Sequence, residues 1–236
     1  MTKKDLGNEE QSFVKDLASL DEKAGDLGIG GKYSPEGNEK LYEERMRARK
    51  RVQQERIKIR KSKKGLIIVF TGKGKGKTTA ALGMALRTLG HGYKVAIIQF
   101  IKGAWKTGEE KALKSLSRNI SWHSLGEGFT WETQNRIRDE ELVKEAWEIS
   151  KEYIKDDSYK LIILDEINIA IKLGYIDANT IIDFFKVIDS KNSHIVLTGR
   201  NAPKSIIENA DLVTTMELIK HPFKDQGIKA QKCVEF

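Results

Sequence analysis

The sequence predicts an α/β fold, in which a mostly parallel sheet carries helices on both faces and an N-terminal helical arm precedes it. Three observations support this prediction. Short apolar segments alternate with longer amphipathic ones, which is typical of parallel sheets. The first apolar segment runs into a loop of glycines and lysines followed by an alanine-rich stretch. Another apolar segment ends in two adjacent acids.

The chain divides into three predicted parts. Residues 1–40 are polar and turn-rich, so we interpret them as a flexible extension in which Glu9–Lys23 forms a short helix. Residues 41–64 are predicted to form a basic helix, because residues 39–62 lack Gly and Pro and contain strong helix formers. A helix this polar needs a partner surface. Residues 65–236 are predicted to form the α/β domain.

Within that domain, apolar and β-branched segments predict buried strands, and apolar residues at helical spacing predict helices. The predicted strands are Leu66–Phe70, Lys94–Phe100, Ser121–His123, Leu161–Leu164, His194–Thr198 and Leu212–Leu218. The predicted helices are Thr79–Leu89, Asp139–Lys155, Ile167–Leu173, Ala178–Ser190 and Lys204–Asn209.

Composition excludes several classes of protein. The longest apolar run, Leu66–Phe70, is far too short to cross a bilayer, and the N-terminus shows no apolar signal core. The single cysteine, Cys233, forms neither an internal disulfide nor a zinc site by itself. We therefore expect a cytoplasmic protein without a membrane partner.

The positive charge is concentrated in one segment. The net charge is +8, and residues 45–64 hold eleven Lys or Arg and one acid, Glu55. Such a segment can bind nucleic acid through phosphates. It lacks the interleaved aromatic residues that stack on single-stranded bases, so a solvated helix or a site-covering arm is the preferred interpretation. Nucleic acid is not an expected partner.

The segment Thr71–Thr79, read Thr-Gly-Lys-Gly-Lys-Gly-Lys-Thr-Thr, resembles a phosphate-binding P-loop. It departs from the usual pattern at Thr71, where a glycine normally stands. Glycines allow backbone N–H groups to converge on phosphate, and the following helix N-terminus adds positive potential. The alternative is a glycine-rich turn with solvated lysines. The predicted ATP-binding residues of this loop are Gly72, Lys73, Gly74, Lys75, Gly76, Lys77, Thr78 and Thr79.

The strand that ends in Asp165 and Glu166 supplies the acidic partner of this loop. In P-loop proteins of the RecA-like type such an Asp holds Mg²⁺, and Thr78 supplies a hydroxyl ligand. We therefore predict Thr78 and Asp165 as metal ligands. The alternative is a helix-capping Asp beside a surface Glu. Glu166 is predicted to contact the nucleotide, by positioning a water or by holding a ribose hydroxyl.

An aromatic loop, residues 126–135, places Phe129 and Trp131 among glycines and polar residues. Aromatic residues in such a loop often mark a ligand surface. From the residues alone, a loop that two rings pin to the core is the alternative interpretation.

Several motifs together resemble the ATP:corrinoid adenosyltransferases of the cobalamin pathway, the enterobacterial type. The resemblance covers about residues 41–236 and says nothing about residues 1–40. It rests on the P-loop segment from Gly65, Gln99-Phe-Ile-Lys-Gly, Gly128-Phe-Thr-Trp-Glu-Thr-Gln-Asn, Leu164-Asp-Glu, Thr198-Gly-Arg, and the tail from Lys220-His-Pro-Phe to Gly227-Ile-Lys-Ala-Gln. The loop around Trp131 is the most specific of these motifs.

This resemblance implies a reaction other than ATP hydrolysis. A Co(I) corrinoid, cobalamin or cob(I)yrinic acid a,c-diamide, attacks the 5′ carbon of ATP and displaces triphosphate. The implied substrates are ATP and a corrinoid, and the implied cofactor is Mg²⁺. The lysine-rich loop, with Lys77 as a catalytic residue, stabilises the charge of the leaving triphosphate. The family holds ATP reversed relative to ordinary P-loop enzymes, so no loop lysine is assigned to a particular phosphate.

The resemblance also implies roles for residues outside the P-loop. Phe129 and Trp131 act as catalytic residues that pack against the corrin and displace its lower ligand, which makes Co(II) easier to reduce. The electron comes from an external one-electron reductant that is flavodoxin-like. The helix matching Tyr42–Ile59 covers the site of the neighbouring chain in a homodimer. Arg200 is predicted to contact phosphate, and the alternative for it is a surface salt bridge.

Two other functions remain open at this stage. An ordinary P-loop ATPase or kinase would use water or a hydroxyl as acceptor and would give phosphate or ADP. A nucleic-acid-binding module would use the basic segment 45–64, and its binding would weaken steeply with salt.

Overall fold

A computed structural model of the chain describes residues 39–59, 63–101, 108–125, 135–188 and 192–234. The predicted helix Glu9–Lys23 lies outside these residues. The basic segment forms helix α1, Glu39–Ile59, and residues from Lys64 onward form a separate compact unit. In the part of the chain that the structure describes, no helix is long and apolar enough to cross a membrane.

The compact unit is built on one parallel sheet, as the alternating apolar segments predicted. Its six strands lie in the order β3-β2-β4-β5-β1-β6, and every neighbouring pair is parallel. They are β1 Ile67–Thr71, β2 Lys94–Gln99, β3 Ile120–Ser124, β4 Tyr159–Asp165, β5 His194–Thr198 and β6 Leu212–Thr215. Strand β5 separates β1 from β4, so the two strands that carry the P-loop and the acids are not direct neighbours.

Helices connect the strands. They are α2 Lys77–Gly90, α3 Gly108–Leu116, α4 Arg136–Lys155, α5 Ile167–Lys172, α6 Ala178–Val187, α7 Lys204–Glu208 and α8 Pro222–Gln226. Helices α3 and α8 were not predicted. The start of α8 carries a recognisable signal, since His221 accepts a hydrogen bond from the backbone N–H of Phe223 and Pro222 occupies the first helical turn.

Alternate residues of the central strands pack into two apolar layers. On one face, residues such as Val69, Ile98 and Leu164 pack with buried side chains of α4 to α7. On the other face, Ile97 and Ile163 pack with the apolar side of α2 and with α3. This double burial explains why the strands read as continuous apolar runs rather than alternating ones.

Within the compact unit, three boundaries differ from the sequence prediction by three residues, and the other differences are smaller. Helix α4 begins at Arg136, because the side chain of Asn135 caps it by accepting a hydrogen bond from the backbone N–H of Arg138 at 3.2 Å. Helix α6 ends at Val187, since the backbone of Ile188 is extended. Strand β6 ends at Thr215, short of the predicted Leu218, because its partner β1 already ends at Thr71.

Directly after β6 the chain forms hydrogen bonds with the end of β1 and with the P-loop. The backbone N–H of Met216 donates to the carbonyl of Thr71 at 2.8 Å, and the carbonyl of Met216 accepts from the N–H of Gly74 at 2.7 Å. This approach leaves no room for a side chain at Gly74, where a Cβ atom would lie 2.5 Å from the carbonyl oxygen of Glu217. The glycine is therefore required by packing.

We predict that Gly74→Ala lowers the free energy of unfolding by about 1–3 kcal/mol, because the P-loop and residues 216–217 must separate to admit the methyl group. The matched control is Gly83→Ala in α2, where an added Cβ meets nothing within 4 Å and helix propensity should add about 0.5–1 kcal/mol of stability. Denaturant unfolding measures both variants. Equal stability of the two would contradict this account of the loop.

Candidate functional site

The carboxyl ends of β1, β4 and β5 meet at one edge of the sheet, where ligands of open α/β sheets bind. The P-loop crosses this edge between β1 and α2. Gly72 and Gly76 adopt left-handed φ angles of 99° and 100°. Helix α2 begins after Gly76 with no side-chain cap and no acid in its first turn. Its first N–H groups therefore offer a site for an anion.

Thr71, which replaces the first glycine of the usual pattern, ends β1 and has a structural contact of its own. Its hydroxyl accepts a hydrogen bond from the backbone N–H of Ala202 at 3.1 Å. The departure from the pattern thus ties the start of the P-loop to the segment that follows β5.

Lys77 is buried at the start of α2, with 7% of its surface exposed. Its ammonium group donates to the carbonyl of Gly74 at 2.6 Å, so it turns back over the loop. Burial lowers the pKa of Lys77; the carboxylate of Glu166 opposes this shift, and the guanidinium of Arg200 adds to it. A bound polyphosphate would supply the counter-charge that this ammonium group needs.

Asp165, the last residue of β4, is held by three donors that come from three different elements. Its Oδ1 accepts from the hydroxyl of Thr78 at 2.8 Å and from that of Thr198 at 2.7 Å. Its Oδ2 accepts from the amide of Gln99 at 3.0 Å. The carboxylate is 2% exposed.

The alternative interpretation of Asp165 as a helix cap is wrong, because its side chain makes these three contacts and Glu166 occupies the capping position of α5. No separate role was predicted for Gln99 or Thr198. The available signal was a polar residue at the end of each apolar strand, next to the sheet edge that carries the P-loop.

The residues at this point fit Mg²⁺. Thr78 and Asp165 present hydroxyl and carboxylate oxygens, which are the ligands that Mg²⁺ prefers. Within the described residues, no cluster of three or more His, Cys, Asp or Glu could hold a metal by itself. Magnesium is commonly bound through one or two protein oxygens plus phosphates and water, so a single carboxylate beside a P-loop threonine is a suitable set.

Glu166 lies in a left-handed conformation with φ 61° and ψ 18°, which costs a non-glycine residue about 1–3 kcal/mol and is concentrated at functional sites. Its N–H donates to the hydroxyl of Thr198 at 2.9 Å. A Cβ atom at Gly199, where φ is 126°, would lie 3.1 Å from Oε2 of Glu166. The side chain of Glu166 therefore lies over the backbone of Gly199, close to Lys77.

A cleft of 450 Å³ opens beside the P-loop, and we call it the basic cleft. Its lining includes four basic residues, Lys73, Lys172, Arg200 and Lys224, together with His221. None of the described residues that line it is acidic. A second cleft of 730 Å³ adjoins it and shares Lys73 and Lys224. The basic cleft is therefore suited to anions.

The structure brings most of the predicted site residues to one edge. Lys77, Thr78, Asp165, Glu166 and Arg200 lie around the P-loop, and Lys73, Lys75 and Thr79 are exposed on it. Phe129 and Trp131 lie outside the described residues, so their roles stay predictions.

The fold and this edge define a P-loop α/β protein of the nucleotide-binding class. Residues 63–236 match the family model described as ATP:corrinoid adenosyltransferase BtuR/CobO/CobP. The chain belongs to this family of enzymes, as the motifs around the P-loop and Trp131 predicted.

Relatives of the same kind align over nearly their whole length. The chain is 47% identical to a corrinoid adenosyltransferase from Sinorhizobium sp. over 209 residues, which cover 88% of this chain and 97% of the relative. It is 45% identical to the Pseudomonas aeruginosa enzyme, with 86% and 98% covered. It is 35% identical to that of Escherichia coli K12, with 84% and 100% covered.

We predict that Lys77→Met stabilises the ligand-free protein and abolishes its stabilisation by ATP. The buried ammonium group costs stability, whereas phosphate binding requires its charge. Because the pKa of Lys77 is lowered in the folded state, the unfolded state binds more protons above that pKa. The wild type therefore gains stability as the pH rises through the lowered pKa of Lys77, and the difference in the free energy of unfolding between variant and wild type should decrease.

Thermal unfolding with and without ATP, at a series of pH values, measures these effects. A variant that is less stable than wild type without ligand, or that is still stabilised by ATP, would contradict the role given to Lys77.

Proposed function

We propose that this chain transfers the 5′-deoxyadenosyl group of ATP to the Co(I) centre of a corrinoid and releases inorganic triphosphate. Co(I) attacks C5′ with its electron pair and is oxidised to Co(III) as the cobalt–carbon bond forms. The C5′–O bond breaks, and triphosphate leaves with the bonding pair. Membership of the corrinoid adenosyltransferase family supports this acceptor.

The observation that carries the proposal is the excess of positive charge around a site that must release an intact triphosphate. The uncapped start of α2 follows the loop directly, and the ammonium group of Lys77 turns back to the carbonyl of Gly74. Lys73 and Arg200 lead from it into the basic cleft. Negative charge develops on the departing oxygen, so donors placed beforehand lower the barrier.

Thr78 and Asp165 are the residues that would hold Mg²⁺ in this proposal. When bound, the ion would neutralise charge on the phosphate oxygens. Thr78 supplies a hydroxyl oxygen whose proton is directed towards Asp165. Glu166, beside Lys77 and above Gly199, is suited to hold a ribose hydroxyl.

The corrinoid part of the proposal rests on the family resemblance. Phe129 and Trp131 pack on the lower face of the corrin and exclude its axial ligand, so that Co(II) accepts an electron from an external flavodoxin-like reductant. The protein acts as a cytoplasmic homodimer, and α1, with its exposed basic side chains such as Arg47 and Arg51, covers the site of the neighbouring chain.

We predict that the protein, given MgATP, a reductant and cobalamin, forms adenosylcobalamin and inorganic triphosphate in equal amounts. The corrin absorption spectrum and ion chromatography measure the two products. A reaction without reductant is the control. Stoichiometric ADP or phosphate with an unchanged corrin spectrum would identify an ordinary ATPase or kinase instead and would reject the proposal.

We predict that Trp131→Ala reduces turnover from Co(II) more than turnover from chemically pre-reduced Co(I), because the side chain acts before the transfer step. Trp147→Phe is the matched control, since Trp147 is buried in the core with 4% exposed and lies on α4 among core residues. The two rates are followed by the corrin spectrum. Equal losses from Co(II) and Co(I) would reject the ligand-displacement role.

A further inference from the structure

Gln99 contacts Asp165 through one end of its amide and β3 through the other. It is the last residue of β2, is 2% exposed, and stands between β3 and β4 in the sheet. Its Nε2 donates to Oδ2 of Asp165 at 3.0 Å. A second bond, from the backbone N–H of Leu125 to the carbonyl of Gln99 at 3.1 Å, ties the same residue to the end of β3.

The orientation of this amide follows from the chemistry of its neighbours. The Oε1 of Gln99 accepts from the indole N–H of Trp122 at 3.1 Å and from the hydroxyl of Ser124 at 2.8 Å. An indole N–H can only donate, so the amide oxygen must face it and the amide N–H₂ must face Asp165. A flipped amide would place two donors against each other at Trp122 and two acceptors against each other at Asp165.

Trp122 also fixes the hydroxyl of Ser124. The same indole N–H lies 3.1 Å from Oγ of Ser124, which therefore accepts from it and turns its own proton to Gln99. On the other side of Asp165, Thr198 accepts from the N–H of Glu166 and so donates to Oδ1. Gln99 thus donates to one oxygen of the Asp165 carboxylate and Thr198 to the other, and neighbouring donors fix the direction of both hydrogen bonds.

We infer that Gln99 is a positioning residue, locked by Trp122, that holds the carboxylate of Asp165 in the orientation in which it and Thr78 bind Mg²⁺ with ATP. The inference deepens the proposed function and rests on the metal role of Asp165. Partners of this kind, which orient a ligand without touching the metal, commonly contribute about 10–100-fold to metal affinity.

The test compares ATP affinity with Mg²⁺ and with a chelator by calorimetry, without any corrinoid. The quantity of interest is the Mg²⁺-dependent gain in affinity, because a purely structural defect weakens ATP binding under both conditions. Gln99→Met keeps the side-chain length but removes the donor to Asp165. We expect it to reduce the gain about tenfold or more, with little change in the affinity for metal-free ATP.

Two further variants change the donors to Gln99 and leave Gln99 itself in place. Trp122→Phe removes the indole N–H, so the Ser124 hydroxyl can reverse and the amide can flip; we expect it to lose part of the gain. Ser124→Ala keeps the indole lock and should retain the gain. When Trp122→Phe is combined with Gln99→Met, we expect no further loss of the Mg²⁺-dependent gain beyond that of Gln99→Met alone. Ser150→Ala, which removes a buried hydroxyl bonded to Ala146 within α4, controls for the loss of any buried polar group.

The outcomes are distinct. If the Gln99→Met variant retains the Mg²⁺-dependent gain in ATP affinity that the wild type shows, this inference is overturned and the proposed function stays intact. Equal effects of Trp122→Phe and Ser124→Ala overturn the locking role of the indole. A wild-type protein without any Mg²⁺-dependent gain overturns both the metal role of Asp165 and the inference, whereas failure to form adenosylcobalamin with the gain present counts against the proposed function alone.

Discussion

The hydrogen bond between Thr78 and Asp165 joins the start of α2 to the end of β4, and the site is arranged around it. The two residues lie 87 positions apart in the chain, yet a parallel sheet brings both to the same edge because all its strands end there. Thr198 from β5 and Gln99 from β2 complete the group. One buried carboxylate therefore joins β2, β4, β5 and the start of α2 through hydrogen bonds.

The two sides of this edge of the sheet carry different side chains. On the side of β1 and β6, basic residues line the cleft beside Lys73 and Arg200. On the side of β2 and β3, the network of Gln99, Trp122 and Ser124 leads away from Asp165. In the proposed reaction a highly charged triphosphate leaves from this edge, and the basic side suits a leaving group of that charge.

Much of this arrangement was predictable because local patterns carry it. Apolar runs predicted the six strands, and Gly76-Lys77-Thr78 after a strand predicted a phosphate site at the start of α2. Strand order was not predictable from such patterns, because pairing of β1 with β5 depends on contacts between distant segments. For the same reason the sequence did not show that Met216 closes on Gly74 or that Gln99 reaches Asp165. The roles of Phe129 and Trp131 remain predictions, because both residues lie outside the described part of the chain.

The proposed bond cleavage at the ribose carbon can be tested by following the fate of one oxygen atom. ATP carrying oxygen-18 at the atom that bridges C5′ and the α-phosphorus would be turned over with a reduced corrinoid, and the products examined by mass spectrometry. If the C5′–O bond breaks, the label leaves entirely in inorganic triphosphate and none remains on the adenosyl group. Label retained in ADP, or on an adenosyl product, would contradict it.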